Sequence, residues 1–102
     1  MAVAFLTIVP LGTGETSLSG WVAGVQRVLR ESGLVYELTA MGTILEGDLD
    51  EILAVVRRMH EQPFAEGALR VSTELKIDDR RDKRGSIAGK VRAVEEKLAG
   101  GD

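Results

Sequence analysis

Cysteine is absent from the chain, and histidine occurs once. The first absence removes disulfides, thiolate metal ligands and thiol nucleophiles together, and it fits a reducing compartment, so a cytoplasmic location is expected. The lone His60, at the end of a helical segment and without a neighbouring ligand cluster, reads as a surface helix-end residue rather than a metal ligand. Aromatic residues make up only 4% of the chain, and its strands lack the aromatic pattern of a common single-stranded RNA platform. Nor is positive charge in excess. The formal net charge is −3, whereas a phosphate backbone rewards a basic surface, so no nucleic acid is expected as a partner. The apolar opening Ala2 to Val9 stops at Pro10, too short for a bilayer span and without a basic leader, which argues against a membrane role.

What is present is globular in character. Hydrophobic residues make up 44% and charged residues 28% of 102 positions, which suits one domain over residues 1–102 with one core. Ala2 to Val9 alternate as a strand, with Val3, Phe5 and Val9 on one face and Ala4, Leu6 and Ile8 on the other; apolar groups on both sides imply that both are covered. After the permissive loop Leu11 to Thr16, Thr16 or Ser17 is placed to cap a helix. That helix runs from about Leu18 to Glu31, with Leu18, Trp21, Val22, Val25, Val28 and Leu29 as its apolar stripe and Ser32-Gly33 as its exit.

Two short strands follow, Leu34 to Thr39 and Thr43 to Glu46, around the turn or bulge Ala40-Met41-Gly42. Asp48 with Glu51 three residues later suggests a capping box for a second helix, whose stripe is Leu49, Ile52, Leu53, Val56 and Met59 and which Pro63 should break. Leu69 to Asp78 alternates throughout: Leu69, Val71, Thr73, Leu75 and Ile77 share one face, and Arg70, Ser72, Glu74, Lys76 and Asp78 the other. A charged turn, Asp79 to Gly85, then leads through Ser86, a candidate cap, to a last helix striped by Ile87, Val91, Val94 and Leu98, with Gly100-Gly101 as a loose end.

The order strand, helix, strand, strand, helix, strand, helix fits an α+β class: a ferredoxin-like βαββαβ sandwich with an additional C-terminal helix. Such a sandwich leaves one sheet face bare. Ala4, Leu6, Ile8, Tyr36 and Leu38 are the expected lining of that face, to be covered by the last helix or by another subunit.

Chemistry-bearing residues are few. The loop Gly12 to Ser17 lacks the lysine and spacing of a nucleotide phosphate loop, and Glu15 opposes phosphate. Tyr36, Thr43 and Glu46 can surround a polar heterocycle, one offering an aromatic surface and the others hydrogen bonds; equally, Tyr36 can be core and Glu46 a sheet-edge solubiliser. Met41 can give a ring a soft contact or simply fill space. Asp48 and Asp50 are accounted for by the helix start. The run from Asp78 to Arg84 reads as a salt-bridged turn at a surface or subunit boundary. With no nucleophile–base set and no metal cluster, an enzyme is not expected.

Four runs carry a resemblance to a known family: Val9-Pro10-Leu11-Gly12-Thr13-Gly14, Tyr36-Glu37-Leu38-Thr39-Ala40-Met41-Gly42-Thr43, Glu46-Gly47-Asp48 and Lys76-Ile77-Asp78-Asp79-Arg80. Together they make the chain similar to the small thiamine-binding proteins, with Ala40 standing where that family commonly has proline. The resemblance implies a homotetramer built from dimers that binds thiamine or its hydroxymethylpyrimidine portion without converting it. It also implies a pocket drawn from Thr16, Ser17, Tyr36, Met41, Gly42, Thr43 and Glu46. In that pocket Tyr36 or Met41 would pack on a ring, Thr43 and Ser17 would hydrogen-bond the aminopyrimidine, and Glu46 would offset the thiazolium charge. Two other readings stay open at this point: an amino-acid-sensing regulatory module on the same fold, and a structural oligomer with no small ligand.

Overall fold

In the computed structural model, which describes residues 1–82 and 87–100, the alternating first segment becomes the spine of the sheet. Strand β1 (Ala2–Pro10) pairs antiparallel on one side with β3 (Thr43–Gly47) and on the other with β4 (Val71–Asp79), while β2 (Val35–Leu38) adds to the outer edge of β3. The sheet order is β2-β3-β1-β4. Helices α1 (Ser19–Ser32) and α2 (Leu49–Ala65) follow β1 and β3 and pack on one sheet face, and α3 (Ile87–Ala99) follows β4. This is the expected ferredoxin-like order with its extra helix.

Register decides which face is the core. Ala2, Ala4 and Leu6 pair with Gly47, Leu45 and Thr43, and paired residues of an antiparallel ladder point the same way. Ala2, Ala4, Leu6 and Leu45 are buried against Val25 and Leu29 of α1 and Ile52, Val55, Val56 and Met59 of α2, with Ile8 packed at the margin. Tyr36 and Leu38 pair with Leu45 and Thr43, so they too belong to the helix side. The expectation that Ala4, Leu6, Ile8, Tyr36 and Leu38 line the bare face is thus reversed. That face instead carries Val35, Val3, Phe5 and Ile44 among Glu37, Glu46, Lys76 and Asp78.

The helix ends differ from expectation in detail. Leu18 takes the N-cap position of α1 without a side-chain cap, and the Ser17 hydroxyl faces that of Ser19 at 3.3 Å. Asp48 has the extended backbone of an N-cap and its carbonyl accepts the Ile52 amide at 2.9 Å, but no side-chain cap bond or capping box forms. Within α2, Val55 is buried and Leu53 is exposed, the reverse of the periodic reading at that point. Pro63 sits inside the last turn rather than stopping the helix before it. Loss of one amide there is tolerated because the chain is already closing, with the Pro63 carbonyl accepting the Ala68 amide at 2.9 Å. Strand β4 begins at Val71, leaving Leu69 fully exposed. His60 is half-buried rather than a free surface residue: its Nδ1 lies 2.7 Å from Thr73 Oγ1, joining α2 to β4, and its ring meets the edge of Phe64.

Helix α3 does not bury the sheet. It contains no buried residue, and its stripe residues Val91, Val94 and Leu98 are 51%, 59% and 75% exposed. Its first turn is fastened where Glu46, Val3 and Asp78 form one row across three strands. Glu46 Oε2 accepts the Ile87 amide at 2.9 Å, and Lys90 Nζ bonds Asp78 Oδ2. The molecule is consequently elongated, 50 × 28 × 20 Å, with a radius of gyration of 15.6 Å, against about 13 Å for a compact chain of 100 residues. The candidate cap Ser86 and the end glycine Gly101 lie outside the described residues.

Candidate functional site

A cavity of about 290 Å³ opens on the helix side of the sheet, between the first half of α1 and the loop joining β2 to β3. Leu18, Val22 and Gln26, each one helical turn from the next, form one wall; Met41, Gly42 and Thr43 form the opposing one. Leu6 and Met59 contribute from the core. The interior is apolar with a few inward polar groups, the composition typical of a small-molecule site.

The loop wall is fixed by Thr39. Its hydroxyl donates to the Gly42 carbonyl at 2.8 Å and accepts the amides of Gly42 and Met41 at 3.1 and 3.3 Å, and its own amide donates to the Gly42 carbonyl at 2.8 Å. These bonds hold the turn through Ala40 and Met41. Gly42 is required for room rather than for unusual torsion. A β-carbon there would lie 2.6 Å from Phe5 Cζ and 2.9 Å from the Leu6 carbonyl oxygen, so only glycine lets the loop close onto β1.

Of the seven expected site residues, Met41, Gly42 and Thr43 come together in this cavity. Tyr36 lines an adjoining groove with Ala23, Arg27 and Arg30, and Gln26 is shared between the two. Thr16 and Ser17 are exposed in the segment that delivers Leu18 to the cavity wall. Glu46 lies on the opposite sheet face, where it holds the start of α3. The residue that sequence reasoning missed is Gln26. Its Nε2 donates to Thr43 Oγ1 at 2.9 Å, and its Oε1 is buried with no hydrogen-bond partner. The available signal was a polar residue on the apolar 18–22–26 line of α1.

A larger, more open depression of about 790 Å³ occupies the other end of the sheet, where Glu46, Asp48, Glu51, Asp79, Arg80 and Arg81 gather. Within it Arg81 pairs with Asp79, and Arg80 pairs with Asp82 beside it. Among the described residues no group of three or more potential ligands could hold a metal, and no helix is long and apolar enough to cross a membrane.

The α3 anchor titrates. The hydrogen bond from Lys90, then the Lys90 charge, hold the Asp78 carboxyl below its ordinary value of 3.8. A carboxylate lowered in the native state stabilises it fully above the unfolded value and loses that contribution as pH falls through the native one. The first turn of α3 is therefore expected to lose amide-exchange protection as pH drops below 3.8, after correction for intrinsic exchange. Asp78→Asn should reduce that pH dependence; an unchanged profile in the variant would contradict the anchor.

The topology and the cavity under α1 define a small ferredoxin-like α+β domain with a mixed polar and apolar recess. The family model for thiamine-binding proteins matches residues 4–95, and the chain belongs to that family. It is 43% identical over 102 residues to the Bacillus subtilis UPF0045 protein YqgV, spanning 96% of this chain and 98% of that one. A hypothetical protein from Methanocaldococcus jannaschii superposes with a TM-score of 0.84 at 42% identity, over 93% of this chain and 96% of that one. A Thermotoga maritima structure, described as a candidate thiamine biosynthesis/salvage protein, has the same fold with a TM-score of 0.77 at 22% identity, over 91% and 97% of the two chains.

Proposed function

We propose that this protein binds thiamine, or its hydroxymethylpyrimidine portion, reversibly and without chemical conversion, as a cytoplasmic homotetramer built from dimers. The observation that carries the reading is the family match over residues 4–95, a span that includes every residue of the recess between α1 and the β2–β3 loop. At about 290 Å³ the recess is at the small end of ligand pockets, suited to one ring rather than to a whole vitamin. The pyrimidine enters it against Met41, Gly42 and Thr43, and the rest of the molecule extends toward Tyr36 or toward Thr16 and Ser17. The apolar stripe of α3 and the row around Phe5 and Ile44 supply the surfaces for self-association, because large apolar groups left in water are what subunit contacts bury.

Calorimetric titration with thiamine, with free hydroxymethylpyrimidine and with a panel of amino acids, alongside mass measurement by light scattering, tests the reading. Saturable binding of the first two and none of the amino acids is expected; a correctly assembled protein that binds neither sinks it. The Glu46→Gln variant adds a second comparison. Glu46 Oε2 is engaged by the Ile87 amide on the far sheet face, so this change is expected to leave the ratio of thiamine to pyrimidine affinity as it was. A selective loss of the cationic vitamin would instead place Glu46 at the thiazolium.

A further inference from the structure

We infer that Gln26 is the specificity-determining residue of the recess, hydrogen-bonding the exocyclic amino group of an aminopyrimidine. This deepens the thiamine-binding reading and rests on it. Gln26 is the polar member of an apolar helix line, facing Thr43, a polar residue in a sheet row otherwise made of Leu38, Leu6 and Leu75. Thr43 is itself buried. The two side chains meet at 2.9 Å, so each meets part of the other's hydrogen-bonding demand. They do not meet all of it. A primary amide offers two N–H donors and a carbonyl acceptor, and the Gln26 acceptor is buried without a partner.

Buried polar atoms are paired in the great majority of cases, and an exception in a cavity wall asks for a group that is not part of the chain. With its nitrogen on Thr43, Gln26 presents a carbonyl that needs a donor; the cavity's other hydroxyls are Thr7 and Thr39, and Thr39 already donates to the Gly42 carbonyl. An aminopyrimidine brings donor and acceptor side by side on one planar edge. Its amino group donates to Gln26 Oε1 after a side-chain turn toward the recess, while the Thr43 hydroxyl, free to rotate, donates to the adjacent ring nitrogen. The apolar walls take the two faces of the ring.

The test compares hydroxymethylpyrimidine with the same compound carrying hydrogen in place of the amino group, titrated into the wild-type chain and into Gln26→Met. Methionine keeps length and volume but has no amide. The wild type is expected to prefer the amino compound about tenfold, from one hydrogen bond of ordinary strength, and Gln26→Met to bind both alike. If Gln26→Met melts early because Thr43 loses its partner, the double variant Gln26→Met/Thr43→Val is read against Thr43→Val alone, which is expected to keep the amino preference that the double variant loses. A methionine variant that binds the amino compound with the wild-type preference overturns the role given to Gln26 while leaving the binding reading intact. A wild type that binds neither thiamine nor the amino compound overturns the reading itself, and the assignment with it.

Discussion

Gly42→Val is expected to lower stability by about 1–3 kcal/mol, the usual range for inserting bulk into a packed site, and to abolish the proposed thiamine binding. The cause is positional. Gly42 closes the β2–β3 loop against β1, and its missing side chain is replaced in space by the Phe5 ring and the Leu6 carbonyl oxygen, 2.6 and 2.9 Å from where a β-carbon would fall. A ring can turn aside, but a strand carbonyl already in the ladder cannot, so the loop itself has to lift. Lifting it undoes the bonds that Thr39 makes to Gly42 and Met41 and moves Thr43 away from Gln26. For a domain of this size about 4–8 °C of melting temperature is lost per kcal/mol, well within reach of a thermal scan. Gly20→Ala, at a helical glycine with open space around its β-position, is the control: it should melt no lower than the parent. A Gly42→Val chain that melts and binds as the parent does would show that the loop is not the cavity wall described.

The fold was largely legible because its elements are periodic and short. The β1 and β4 alternations, the α1 stripe and the exit at Gly33 all reappear, the last with the left-handed φ of 79° that glycine favours. The assignment of sheet faces was not legible, and the reason lies in β1. Period-two alternation separates Val3, Phe5 and Val9 from Ala4, Leu6 and Ile8, but both sets are apolar, so the pattern cannot say which set faces the helices. Pairing with β3 settles it, since Ala2 and Ala4 lie beside Gly47 and Leu45 where helices approach the sheet. Tyr36 and Leu38 follow β3 and were misplaced for the same reason.

The candidate site was legible where it is local and hidden where it is not. Met41, Gly42 and Thr43 are consecutive and drew attention as a run, and they share one wall. Gln26 was concealed by the apolar stripe that surrounds it, since its partner Thr43 is 17 positions away. Glu46 shows a contact that the sequence could not reveal. Taken alone it looks like a ligand carboxylate or a solubilising edge, yet its hydrogen bond is to Ile87, 41 positions on, at the start of a helix that periodicity places in sequence but not in space.

That helix carries the second large effect. Val91→Asp together with Val94→Asp is expected to convert the proposed tetramer to smaller species while leaving the subunit folded. Neither valine is buried in the single chain, and no residue of α3 belongs to the core, so the substitutions remove little intramolecular packing. In the proposed assembly the same side chains would face a partner. Each valine fully buried there contributes roughly 1.5–3 kcal/mol, and an aspartate in its place brings an unpaired charge that costs several kcal/mol more to desolvate. Symmetry multiplies the penalty, because every copy presents the same helix. Light scattering should therefore report a fall in mass, with the far-ultraviolet circular dichroism of the subunit retained. If the double variant keeps the parent's mass, α3 is not at the subunit boundary, and the exposed row around Phe5 and Ile44 must provide the contact without it. If it unfolds as it dissociates, the sheet face that α3 leaves open needs a neighbour to be stable at all, which ties assembly to folding more closely than the single chain's core implies.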